Sequence, residues 1–200
     1  MCIIAIIFSA IIMNGQETAQ GILNDAVSHF KKDAMVAANI QIHSANGVSN
    51  GELIVYGNRF KISSPSFKCW FNGKVQWSYS TATDEVNITN PTTEELQTTN
   101  PYAIIDGTKS NYKSTLIASK KKDEYIVNLS PINTKQQIKD IRLYIAKSSL
   151  RLTKVIVVMK DKSTYTSLIS NYRSDCKYPQ SIFNFNKKEV PNGTHIVDLR

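Results

Sequence analysis

From Val36 almost to the C-terminus, apolar residues recur at every second position, and this alternation constrains the chain more than any other feature. Val36, Ala38, Ile40 and Ile42 open the pattern, which returns at Leu53 and Val55, at Phe60 and Ile62, at Phe67, Cys69 and Phe71, and at Val75, Trp77 and Tyr79. A period of two sends successive side chains to opposite faces of a strand, so each run predicts a strand with one buried face. Val86 and Ile88 mark the next strand, ended by Asn90-Pro91, and further strands are expected over 112–118, 125–129, 138–145, 150–159, 164–172, 182–185 and 194–199. Asn72-Gly73 is the strongest turn signal, because both central positions of a type I′ turn need φ > 0 and these two residues tolerate it best. Roughly eleven or twelve short strands at regular spacing predict one long antiparallel meander, closed or nearly closed on itself.

Two stretches break the alternation. Ile22, Leu23, Ala26, Val27 and Phe30 recur at helical spacing, predicting a helix over 18–34 that Thr18 or Gln20 can open. Over 91–107, Pro91 suits a first helical position, Thr92 with Glu95 makes a capping box, and Tyr102 to Ile105 is apolar, predicting one or two short helices. Residues 3–13 form a third kind of segment, apolar and uncharged, too short to span a bilayer and of the length of a signal-peptide core. A leader over residues 1–19 is therefore expected, removed on export between Gly15 and Gln20, leaving one domain over 20–200. Cys2 lies ahead of that run, so the mature product is expected to be soluble rather than lipid-anchored. In an oxidising compartment the remaining pair, Cys69 and Cys176, is a candidate disulfide, with two free thiols as the alternative.

The net charge of +8 sits in the second half, with about −2 over 17–100 and about +10 over 101–200. Its densest run, Lys120-Lys121-Lys122, meets Asp123-Glu124 at once and reads as a solvated hairpin tip. No basic stripe interleaved with aromatics suggests a nucleic-acid module. His29, His43 and His195 stand apart from carboxylates and cysteines at ligand spacing, and no phosphate loop, nucleophile elbow or dinucleotide turn occurs. The chain therefore reads as a binding protein, not an enzyme, with no metal and no cofactor. A sheet of this size must fill its concave face with side chains, a helix or a ligand. The alternation accommodates a lipophilic hollow and a solidly packed barrel alike.

Several blocks fall in the order of one family. Asn72-Gly73-Lys74-Val75-Gln76-Trp77-Ser78-Tyr79 looks like a D-G-x-x-x-W-x-Y hairpin, followed by Glu85-Val86-Asn87-Ile88 and by Asn100-Pro101-Tyr102-Ala103-Ile104-Ile105. Gly51-Glu52-Leu53 with Arg59-Phe60 precede them, and Ile182-Phe183-Asn184-Phe185, Val190-Pro191 and Ile196-Val197-Asp198 close the set. Together they resemble the LolA-type periplasmic lipoprotein carriers over nearly the whole mature chain. The resemblance implies a mainly β fold with short helices (α+β), a curved antiparallel sheet forming an unclosed half-barrel with a helical lid.

It also implies a function: an apolar cavity holding lipoprotein acyl chains, loaded by an inner-membrane release complex and emptied to an outer-membrane acceptor, in a monomer. Candidate cavity residues are Ile40, Ile42, Leu53, Val55, Phe60 and Phe71 from the first strands, Trp77, Tyr79, Val86 and Ile88 from the next hairpin, and Leu143, Ile145 and Val157 further on. Tyr102, Ile104 and Ile105 are candidates for the lid. In the family a strand arginine followed by proline latches the lid; here the stretch is Tyr56-Gly57-Asn58-Arg59, without proline, and Arg59 is the candidate latch. A lipid-binding sensor module on the same fold is the alternative function, and a lipid-acting enzyme a third.

Overall fold

A computed structural model describes residues 17–33, 35–45, 47–100, 104 and 111–200. Residues 1–16 of the expected leader, and Tyr102 and Ile105 of the expected lid, lie outside the described residues; the end of that leader, at Thr18 and Ala19, is instead the start of the first helix.

The first helix, α1 (Ala19–Lys32), starts where Thr18 caps it, the hydroxyl oxygen accepting from the Gly21 N–H at 3.0 Å. Ala19, Ile22, Leu23 and Ala26 are its buried stripe, at the i, i+3, i+4, i+7 spacing of one helix face. After it, β1 (Val36–Ser44), β2 (Gly47–Tyr56), β3 (Arg59–Ser63), β4 (Phe67–Phe71), β5 (Gln76–Ser80) and β6 (Glu85–Thr89) run as consecutive antiparallel hairpins. A short helix, α2 (Thr93–Thr99), follows. The predicted capping box is present: the Thr92 N–H donates to Glu95 Oε2 at 2.7 Å while the Thr92 hydroxyl accepts from the Glu95 N–H at 3.3 Å. Thr92 is the cap itself, so Pro91 lies one residue outside the helix rather than at its first position.

A second run of hairpins, β7 (Tyr112–Ile117), β8 (Glu124–Pro131), β9 (Ile138–Ala146), β10 (Leu152–Met159) and β11 (Thr164–Arg173), joins the first through β11 against β1. The sheet is completed by β12 (His195–Asp198) and reads β12-β6-β5-β4-β3-β2-β1-β11-β10-β9-β8-β7. It is open, with β12 and β7 at its two edges.

Three expectations change. The meander is antiparallel except at its end, where β12 runs parallel to β6. Residues 182–185 are not a strand: Gln180–Phe183 is a 3₁₀ turn that starts after Pro179, and the F-x-F spacing there serves to seat Phe183 and Phe185 rather than to alternate across a sheet. At Asn72-Gly73 only Gly73 has positive φ, +99°, while Asn72 uses its side-chain oxygen to accept from the N–H groups of Lys74 and Val75. The loop is thus an Asn-nucleated turn longer than two residues.

One main hydrophobic cluster holds the α1 stripe, Ile104, and side chains from β4 through to the edge strand β7 in sheet order, the last contributing Tyr112. Laid flat, those nine strands would span about 38 Å, whereas a helix of 14 residues is only about 21 Å long. A single cluster on both therefore requires the sheet to curl around α1, and the result is an unclosed half-barrel.

Candidate functional site

Register decides what faces the interior. Cross-strand partners share a face, so Ile40 with Ile169, Ala38 with Leu53, Val55 with Phe60, and Phe60 with Phe71 form a continuous inner surface. On the other side Val155 pairs with Leu143, Leu143 with Val127, and Val157 with Ile141. Of the expected cavity residues, the structure brings Ile40, Ile42, Leu53, Val55, Phe60, Phe71, Leu143, Ile145 and Val157 together on this surface, all in or against the main cluster. Ile104 joins them, in helical conformation and wholly buried. Ile62, Cys69, Ile141, Val127 and Ile169 belong there too, and alternation with the named residues was the signal for each.

Trp77, Tyr79, Val86 and Ile88 do not belong to that surface. Trp70 pairs with Trp77, Tyr79 with Val86, and Trp77 with Ile88, all out of phase with Phe71 and Cys69. They face outward, where Phe185 and Val190 of the C-terminal segment cover the Trp70 group, with the Phe185 ring edge-on to Trp70 at 5.4 Å. The grouping of all thirteen candidates on one face is corrected accordingly: a one-residue phase difference exchanges faces, and here the apolar set of β5 and β6 is buried by the chain end.

The same segment accounts for Arg59. Its guanidinium lies 4.7 Å from the Tyr56 ring centroid and 5.5 Å from that of Phe183, on the outer face beside Met35, Ala37 and Ile54. Arg59 therefore clasps the C-terminal turn and does not face the inner helices, so its assignment as a lid latch is withdrawn. Lys61 and Lys68 complete the clasp, donating to the Glu189 carboxylate and carbonyl, each at 2.5 Å.

Contacts holding the short helix over the interior come from elsewhere. Glu94 Oε1 accepts from the Gln137 N–H at 2.7 Å, fixing α2 to the start of β9. Tyr112 donates its hydroxyl to Gln97 Oε1 at 2.5 Å, and both residues are buried. Burial, with the Glu94 charge nearby, pushes the Tyr112 hydroxyl up to about 12. The opposite end of the interior is stoppered by α1, whose Asp33 pairs with Arg151 at 2.9 Å. The hollow left there, lined by Ala26, His29, Phe30 and Leu152 among others, has room for about one water molecule.

Cys69 is wholly buried on the inner face, and desolvation pushes its thiol up to about 12. Cys176 packs on the outer face with the Met35 cluster, so the sheet separates the two sulfurs and both are free thiols, not a disulfide. The three histidines sit on α1, β1 and β12, where His43 shares its Nε2 with Gln41 Oε1 at 2.8 Å. Among the described residues no group of His, Cys, Asp and Glu could hold a metal, and no helix is long and apolar enough to cross a membrane.

An open sheet rolled around an apolar interior and stoppered by helices defines the class of fold. Within it, the chain belongs to the outer membrane lipoprotein carrier protein LolA family, whose model matches residues 9–162. Among solved structures it is similar to an uncharacterized conserved protein from Thermus thermophilus, at 9% identity and TM-score 0.56, covering 88% of this chain and 98% of that one. A DUF1329 family protein from Desulfovibrio piger matches at 12% identity and TM-score 0.51, covering 86% and 99%. A LolA superfamily protein from Nitrosomonas europaea matches at 14% identity and TM-score 0.45, covering 87% and 100%. At such identities the likeness is one of fold alone. No curated protein matches the sequence.

Proposed function

We propose that this chain is a periplasmic carrier that shelters the acyl chains of lipoproteins on the inner face of its half-barrel and passes them to an outer-membrane acceptor. The observation that supports it best is the continuous apolar inner surface from β4 to β8, covered by two helical stoppers and Ile104 rather than by a second sheet. Keeping each CH₂ from water is worth about 0.8 kcal/mol, so one palmitoyl chain resists release into water by roughly 11 kcal/mol. Transfer between two apolar surfaces avoids most of that cost, and such a carrier needs only binding and hand-off, with no bond chemistry and no cofactor.

The interior side chains already bury one another, so loading requires a stopper to move. Ile42, Phe67, Leu96 and Met159 are only partly buried against the main cluster, and they are where a chain would first enter. An inner-membrane release complex as donor, an outer-membrane protein as acceptor, and a monomeric carrier complete the reading. A paired titration with a fluorescent fatty acid tests it. Ile42→Asp puts a carboxylate on the inner face and is expected to weaken binding by at least about tenfold. Leu168→Asp places the same charge on the outer face, opposite Gln41 and Lys154, and is expected to change nothing. Equal affinity for both variants and the parent would overturn the reading.

A further inference from the structure

The inner face changes character at β5 and β6. Phe71 pairs with Gln76, Cys69 with Ser78, and Phe67 with Ser80, so those three polar side chains continue the inner face of β4. In turn Gln76 pairs with Thr89, Ser78 with Asn87, and Ser80 with Glu85. The result is a shelf of six polar residues, all half-buried, directly beside the apolar surface of β3 and β4. It bears no cation, and its single charge is the Glu85 carboxylate at one end. These two strands thus turn their polar set inward and their aromatic set outward, the reverse of their neighbours.

Such a shelf is not needed to pack the interior, and part of it lacks a partner. Gln76 Nε2 donates to the Ser78 hydroxyl at 3.2 Å, but Gln76 Oε1 is wholly buried with no hydrogen-bond partner among the described residues. Exchanging the amide oxygen and nitrogen leaves one of them unpaired in either orientation. A buried orphan amide is costly unless something completes it.

We infer that the β5–β6 shelf binds the uncharged, hydrogen-bonding head of the acylated ligand, with its hydrocarbon lying on the adjoining apolar face. This rests on the carrier reading and adds a head-group specificity to it. The head carries a hydroxyl or amide N–H to donate to Gln76 Oε1, and it is not anionic, because the six residues of the shelf offer a phosphate no lysine or arginine and would set it against Glu85. A glyceryl head and the N-acylated end of a peptide share that chemistry.

Three probes of equal chain length separate the cases: monopalmitoylglycerol, an N-palmitoyl dipeptide amide, and palmitoyl lysophosphatidic acid. Each is titrated against the parent, Gln76→Leu and Asn87→Val, with melting temperature followed to confirm folding. The parent is expected to bind at least one uncharged probe about tenfold more tightly than the phosphate, the equivalent of one or two hydrogen bonds. Whichever uncharged probe is preferred names the source of the head. Both variants should keep binding the phosphate probe while losing most of the preference. Binding of all three probes alike by the parent, or a preference unchanged in folded variants, would overturn the shelf while leaving the carrier reading intact. Failure of the parent to bind any probe would overturn both.

Discussion

Replacing Ile104 with Ala separates a lid from a piece of fixed core. The side chain is 0% exposed and belongs to the main cluster, so the substitution removes three buried carbons. At about 0.8 kcal/mol each, with a cavity left behind, the cost is about 2–5 kcal/mol. If Ile104 belongs to an element that lifts while the sheet stays folded, most of this cost falls on the closed-to-open equilibrium. Global unfolding then begins from a state in which the contact is already broken. The melting temperature should fall by no more than a few degrees, while amide exchange around residue 104 accelerates by about tenfold or more and exchange in β9 and β10 is unchanged. If Ile104 is fixed core, the full cost appears in global stability. For a chain of this length that lowers the melting temperature by roughly 5–15 °C. Thermal unfolding and hydrogen exchange on the same protein distinguish the two, and a large drop with uniform exchange would refute the lid. Ile104→Asp is the harsher variant, because burial of the side chain would force a carboxylate out of water whenever the element closes.

Tyr112→Phe leaves the buried Gln97 oxygen without its donor and should cost about 1–3 kcal/mol, with α2 exchanging faster than α1. Cys176 should react with a thiol reagent in the native protein and Cys69 only on unfolding, since one is partly exposed outside the sheet and the other wholly buried within it; equal rates would contradict the facing. Burial holds both Cys69 and Tyr112 protonated, so the folded state binds these protons more tightly than the unfolded one. Their contribution to stability is intact below the ordinary values of 9.0 and 10.0 and is lost as pH rises toward about 12. Chemical denaturation across that alkaline range should show the decline, and Cys69→Ala should reduce it. Phe183→Ala should cost about 3–5 kcal/mol and free the C-terminal segment, although that segment lies outside the inner face.

Local signals carried most of the architecture. The two-residue alternation marks β1 to β11, the spacing of Ile22, Leu23 and Ala26 marks α1, and Thr92 with Glu95 marks α2. These features depend on residues close in sequence. What escaped depends on residues far apart. The parallel pairing of β12 with β6 joins positions such as His195 and Glu85, and neither strand records it. The outward facing of Trp77 and Tyr79 follows from the same cause, because alternation marks the apolar phase of β5 but not the side of the sheet it meets, which the register against β4 and the arrival of Phe185 and Val190 decide. Arg59 was misplaced for that reason too: its rings, Tyr56 and Phe183, are assembled by the returning chain end. The nine inner candidates from β1 to β4, β9 and β10 were legible as one apolar phase, clearest at Ile40 and Ile42 between Asn39, Gln41 and His43, although Ile54 and Trp70 show that the opposite phase is buried as well in β2 and β4. The shelf at Gln76, Ser78 and Asn87 was visible as polar residues but had no address until the register was known.

The most direct test of the central claim is native mass spectrometry of the protein isolated from the cells that make it, before any delipidation. The account predicts a population heavier than the bare chain by the mass of an acylated polypeptide or lipid, which dissociates when organic solvent is added and rebinds when an acylated lipoprotein is supplied. A bare chain that remains unliganded even with excess acylated lipoprotein would contradict it.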